Sequence, residues 1–186
     1  MNEAQSLQQA IDEPVRLVDY DPAWPTRFDA ECGRLLRRFP AELLDVQHIG
    51  STAIPGMPAK PIIDVMAGVA SMAVADALFE PLLGFGYVTS VEFNATLSDR
   101  RWFMRHAHGQ RTHHLHVVVY DGDLWRKRLA FRDTLRSDAA LAVRYAALKR
   151  ELASCHREDR EAYTRAKGDF VRSIVEPGWD HGRAVR

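Results

Sequence analysis

The sequence predicts an α+β domain, a mixed β-sheet of five or six strands followed by a helical C-terminal section. Two observations carry this. Up to residue 120, short apolar or alternating runs are separated by Gly, Pro and Asp turns, as strands are. After Asp121-Gly122-Asp123, apolar residues fall at helical spacing instead. A length of 186 residues fits one such domain.

The elements follow in order. Residues 1–13 are polar and read as a flexible N-terminal arm. "VRLVDY" (15–20) alternates like a strand. Trp24, Phe28, Cys32, Leu35 and Phe39 recur as one face of a helix, which Pro40 ends. "LDVQHIG" (44–50) reads as a strand running into a Gly-Ser turn. "KPIIDVMAGV" (60–69) is apolar on both faces except at Asp64, as a central covered strand should be. Ser71 caps a helix carrying Ala75, Leu78, Phe79 and Leu82. "GFGYVTS" (84–90) returns as a strand, and 100–105 and 113–120 form two more around a turn at Gly109. Three helices close the domain, over 124–135, from a Ser137 or Asp138 cap through Leu152, and over 163–174. The domain spans 14–176, and 177–186 is a C-terminal tail.

Composition narrows the function. Twenty-five basic and 25 acidic residues give zero net charge, which argues against general nucleic-acid binding but leaves room for a local phosphate pocket. Cys32 and Cys155 lie far apart with no C-x-x-C, so free thiols and a cytoplasmic location are expected. No apolar run is long enough to span a bilayer, so no membrane association is expected.

Four stretches carry candidate chemistry. In "HIGSTAIPGMPAKPIID" (48–64), Gly50 lets a phosphate approach the backbone, and Ser51 and Thr52 offer hydroxyls. Lys60 adds a positive charge. Asp64 on the next strand can hold a divalent cation for a nucleoside triphosphate. The plainer alternative is a structural turn and a capping aspartate. In "RTHHLHVVVY", His114 and His116 share one strand face and His113 takes the other. Imidazoles there suit a metal or a phosphate. Arg100, Arg101, Arg105 and Arg111, interleaved with Trp102 and Phe103, either line an anion pocket or form a solvated hairpin. In "DREAYTRAKGDF" (159–170), Tyr163 and Lys167 are i, i+4 neighbours on either a site-flanking or a plain surface helix.

These segments, with "VDYDPAWPTRF", "FRDTLR" and "YAALKRELA", closely resemble the GrpB family over residues 15 to 175. That family is assigned to the nucleotidyltransferase superfamily. The resemblance implies a nucleotidyltransferase-like mixed sheet, with a Gly-Ser turn after the first core strand and an Asp-x-Asp pair on a neighbouring strand. A third carboxylate comes from a later strand, and the carboxylates hold two metal ions. Gly50-Ser51 matches the turn and Asp64 the first, catalytic aspartate. Met66 stands at the second position, and His114 and His116 occupy the strand of the third carboxylate.

The resemblance thus implies a divalent metal (Mg²⁺, Mn²⁺ or Zn²⁺) held by His48, Asp64, His114 and His116. It also implies a nucleotide or phosphorylated small molecule held by Gly50, Ser51, Thr52, Lys60, Arg101, Arg105, Arg111 and Lys167. Nucleotidyl transfer to a small molecule is the activity it suggests. The alternatives are a catalytically inactive accessory module, consistent with GrpB domains fused to dephospho-coenzyme A kinase, and a metal-dependent hydrolase.

Overall fold

The computed structural model describes residues 16–107, 109–157 and 159–176. The arm at 1–13 and the tail at 177–186 lie outside the described residues. The elements are α1 (Trp24–Arg38), β1 (Asp45–Ile49), a 3₁₀ turn (Ser51–Ala53), β2 (Ile63–Val69), α2 (Met72–Ala77), α3 (Phe79–Gly84), α4 (Val91–Ala95), β3 (Arg100–Ala107), β4 (Gln110–Val119), α5 (Asp123–Ser137), α6 (Ala139–Cys155), α7 (Arg160–Ala166) and α8 (Gly168–Val175).

The four strands form one mixed sheet in the order β1-β2-β4-β3. β1 and β2 are antiparallel, β2 and β4 parallel, and β3 and β4 an antiparallel hairpin. β2 is central, as its two-sided apolar pattern requires. Two expected strands shrink to single bridges, Val18 with Ala59 and Val88 with Met104. The first holds the chain entering α1 against the proline-rich loop.

One face of the sheet is the main core. α1 and its C-cap lay Trp24, Leu35 and Phe39 on it, and α2, α3 and the Leu78 cap between them add Ala75, Leu78 and Leu82. Burying a side chain such as Leu35 or Phe39 contributes about 1.5–3 kcal/mol. Ser71 caps α2 as expected, its Oγ accepting from Val74 N at 3.4 Å. The single helix expected there is broken at Leu78. Pro81 has no N–H to offer the Ala77 carbonyl, so the helical ladder cannot run through.

The same α1 face carries a buried carboxylate. Glu31 is 2% exposed and accepts from Arg34 Nε (3.0 Å), Arg34 Nη2 (2.7 Å), the Tyr87 hydroxyl and Arg105 Nη1. Burial raises its pKa, but the hydrogen bonds from Arg34 and Tyr87 outweigh that and hold it below the usual carboxylate range.

The opposite face is covered by the C-terminal helices. α5 seats Trp125, Leu124 and Leu129 on Ile49, Met66 and Val118. Asp138 caps α6, its carboxylate accepting from Leu141 N at 2.9 Å. The helix expected over 163–174 is two helices meeting at Lys167, where Gly168 weakens helical continuity. Cys32 and Cys155 are both free thiols. No helix among the described residues is long and apolar enough to cross a membrane.

Candidate functional site

The site begins where β1 gives way to the 3₁₀ turn. Gly50 adopts φ 71° and ψ −171°, a conformation open essentially to glycine alone. Its missing side chain has a second purpose. A Cβ there would lie 2.4 Å from Asp64 Oδ2 and 3.0 Å from Asp64 Cγ. The turn is thus packed onto the carboxylate of the neighbouring strand.

Asp64 pairs with His114 across β2 and β4, and Met66 pairs with His116, so these four side chains share one face. His114 Nδ1 lies 3.0 Å from Asp64 Oδ1, and His116 Nε2 lies 3.9 Å from it. Burial raises the Asp64 pKa. The hydrogen bond from His114 and the imidazole of nearby His116 more than offset this and hold the group ionised, well below the usual carboxylate range. Burial, aided by the Arg128 charge, pushes His116 down to about 3, so its imidazole is neutral.

His48 does not join them. The register pairs His48 with Val65 and Ile49 with Asp64, which turns His48 to the other face. There it stacks on Phe28 (centroids 4.7 Å, planes 5° apart) and bonds the Thr52 hydroxyl at 2.9 Å. Burial lowers its pKa to about 4. Its expected metal role is replaced by a structural one, bracing the turn against α1. The Thr52 hydroxyl is engaged in that brace.

On the Asp64 face lies a cavity of about 820 Å³, within the range of small-molecule sites. Seven of its side chains are basic (Lys60, Arg100, Arg111, Arg128, Lys149, Arg165 and Lys167) against two carboxylates, Asp64 and Glu92. Ser51, Thr52, His114, His116, Trp102, Phe93 and Tyr163 also line it. Lys60 and Lys167 place their ammonium groups 5.5 and 4.2 Å from the Tyr163 ring centre. Arg111 Nη1 sits 3.3 Å from His114 Nε2. Arg128 Nε and His116 Nδ1 are buried without a hydrogen-bond partner among the described residues.

Two expected phosphate ligands lie elsewhere. Arg101 pairs with Asp76 of α2 at 2.6 Å and donates to the Leu97 carbonyl at 2.9 Å. Arg105 is consumed by Glu31. Both alternate with Arg100 and Trp102 along β3 and therefore face the α1 side of the sheet. Ser51, Thr52, Lys60, Arg111 and Lys167 line the cavity, and Gly50 packs on its Asp64.

Lys149 is the most informative side chain that the sequence reading passed over. It is 2% exposed and donates to the Pro58 carbonyl. Burial, then the charge of Lys167, lowers its pKa to about 7. Its signal was available: it lies four residues after Tyr145, on the helix face shared with Leu141, Leu148 and Leu152, where a charge is out of place. Arg128 gave the same signal beside Leu124 and Trp125. Phe93 and Glu92 gave none, because α4 is too short to show a period.

A two-metal centre does not fit these residues. Among the described residues no three His, Cys, Asp or Glu side chains are placed to hold a metal ion. Met66 is fully buried against Trp125 and Val118, so the second aspartate position is sealed hydrocarbon. The strand of the third carboxylate offers neutral His116 and Asp64-bonded His114. The arrangement instead suits multiply charged anions, with lysine and arginine donors around a turn rich in hydroxyls.

Known proteins share this arrangement of sequence and fold. The family model described as "GrpB protein" matches residues 14–177. A Bacillus subtilis relative, "UPF0157 protein YqkA", is 34% identical over 91% of this chain and 49% of its own length. A Mycolicibacterium paratuberculosis relative, "Dephospho-CoA kinase", is 32% identical over 94% of this chain and 48% of its own. The chain thus spans about half the length of either relative. The crystal structure of conserved protein GrpB from Enterococcus faecalis superposes with a TM-score of 0.76 at 35% identity, covering 86% of this chain and 94% of that one. Family model, relatives and solved structure agree, and the chain belongs to the GrpB family.

Proposed function

We propose that the cavity binds a nucleotide or another phosphorylated small molecule. The observation that carries this is the imbalance of seven basic side chains to two carboxylates in one cavity of a chain with no net charge. Lys60, Lys149, Lys167, Arg111 and Arg128 hold the phosphates, and the Ser51 hydroxyl and the backbone after Gly50 complete the cradle. Binding, rather than transfer, is the reading the electrostatics favour. A carboxylate held well below its usual pKa is a weak base, so Asp64 is poorly suited to take a proton from an acceptor hydroxyl. It serves better to orient His114 and to fix the turn through Gly50.

Nucleotidyl transfer is kept as a second reading by one specific feature, the packing of the Gly-Ser turn on Asp64. The accessory role draws support from the longer relative named dephospho-CoA kinase. There a domain of this kind would capture a phosphorylated ligand beside a separate activity. The test is calorimetric titration and thermal shift with ATP, GTP, CTP, UTP, coenzyme A, dephospho-coenzyme A and tripolyphosphate, each with and without Mn²⁺. A ligand at a hundred times its dissociation constant stabilises the fold by about 2.7 kcal/mol. No shift with any of them would refute the reading. Radiolabel transfer from nucleotides that disappears in Asp64→Asn would restore transfer as the function.

A further inference from the structure

The cavity lining has two chemically distinct parts. Lys60 and Lys167 flank Tyr163, and the buried Lys149 feels the charge of both. Phe93 and Trp102 form the other part, with Glu92 beside them. Lys60 leads into β2, whereas Trp102 lies on the edge strand β3, with β4 between the two. Arg128, which feels the charges of Arg100 and Asp64, also lines the cavity.

The aromatic part is built rather than incidental. Phe93 and Trp102 meet edge to face, with ring centres 5.3 Å apart, and Trp102 in turn leans on His114 at 5.4 Å. Asn94, 5% exposed, clamps the two segments together. Its Oδ1 accepts from Trp102 N at 2.8 Å and its Nδ2 donates to Trp102 O at 2.9 Å. The Thr89 hydroxyl donates to the same carbonyl. A buried asparagine therefore ties the five-residue helix carrying Phe93 to the strand carrying Trp102. Phe93, which lines the cavity, is nevertheless 41% exposed, so a firmly held apolar surface faces solvent there. Aromatic side chains held in this way offer a ring face or edge to a planar heterocycle. The Glu92 carboxylate beside them can meet the N–H donors at the edge of such a ring.

We infer that the ligand is a nucleotide whose base seats against Phe93 and Trp102 while its phosphates reach Lys60, Lys149 and Lys167. Phe93 is then a specificity residue, and it separates nucleotides from inorganic polyphosphate. The inference rests on the phosphate-binding reading above and narrows it to one ligand class.

Wild type, Phe93→Ala, Phe93→Tyr, Trp102→Phe and Lys60→Ala would be titrated with ATP, GTP, CTP, UTP and tripolyphosphate, following heat and tryptophan emission. In wild type at least one nucleotide binds more tightly than tripolyphosphate and quenches emission, and the quench is lost in Trp102→Phe. Phe93→Ala weakens that nucleotide about tenfold to a hundredfold, the range set by loss of one aromatic contact, and leaves tripolyphosphate unchanged. Phe93→Tyr keeps the affinity, and Lys60→Ala weakens both ligands. Phe93 is surface-exposed, so its substitution leaves folding intact, which circular dichroism verifies. Tripolyphosphate binding as tightly as every nucleotide, with Phe93→Ala altering none of them, overturns the base seat while the phosphate reading stands. If wild type binds neither nucleotides nor tripolyphosphate, both fall together.

Discussion

Replacing Gly50 by alanine tests the contact on which the site is built. Two costs add. At φ 71° and ψ −171° a side chain raises backbone energy by about 1–3 kcal/mol. The new Cβ also falls 2.4 Å from Asp64 Oδ2, and relieving such overpacking costs about 1–3 kcal/mol more. The sum is about 2–6 kcal/mol, a large share of the 5–15 kcal/mol that ordinarily separates folded from unfolded states. Urea denaturation of Gly50→Ala gives the total. The same substitution in an Asp64→Ala background isolates the carboxylate contact, because the oxygen is gone while the backbone cost remains. The double-mutant cycle should show coupling of about 1–3 kcal/mol. A Gly50→Ala penalty below about 0.5 kcal/mol, the scatter expected of neutral surface changes, would refute the backbone argument. Equal penalties in both backgrounds would refute the packing of the turn on Asp64.

Other consequences can be measured directly. Lys149 has a folded pKa of about 7 against an ordinary value of 10.5, so the unfolded chain holds the extra proton between those pH values. Stability should therefore rise with pH from about 7 to 10 with a Lys149 contribution of up to about 1.4 kcal/mol per unit, and Lys149→Met should remove that slope in denaturation series. Truncating Glu31 to alanine leaves Arg34 and Arg105 without their buried carboxylate, and a loss of about 3–5 kcal/mol is expected by the same method. Replacing Met66 by aspartate should unfold or severely weaken the protein rather than create a metal site. The new carboxylate would sit fully buried among Ile49, Val118 and Trp125, and calorimetry should detect no gain in Mn²⁺ binding.

Much of this molecule can be read from its sequence where periodicity is long and one-sided. The central placement of β2, the caps at Ser71 and Asp138, and the partition of His114 and His116 from His113 all follow from local pattern. The placement of His48 does not. Whether it stands with Asp64 depends on pairing His48 with Val65 rather than with its neighbour, and a one-residue shift of register exchanges the faces. Arg101 and Arg105 failed in the same way, since alternation along β3 separates them from Arg100 but does not say which set meets the cavity. The Phe93 surface was invisible because α4 is five residues long and held by tertiary hydrogen bonds from Asn94. Strands that became bridges at Val18 and Val88 had the right composition but lacked neighbours to extend the pairing.

The cavity floor comes from β2, β3 and β4, while Lys149, Tyr163 and Lys167 come from helices that follow the sheet by tens of residues. The cavity is therefore a seam between early and late chain. A ligand spanning it acts as a non-covalent cross-link that closes a long loop. Its stabilisation should be unevenly distributed, with amide hydrogen exchange slowing most in α6, α7 and α8 and least in the α1 face of the sheet, which is already sealed without it.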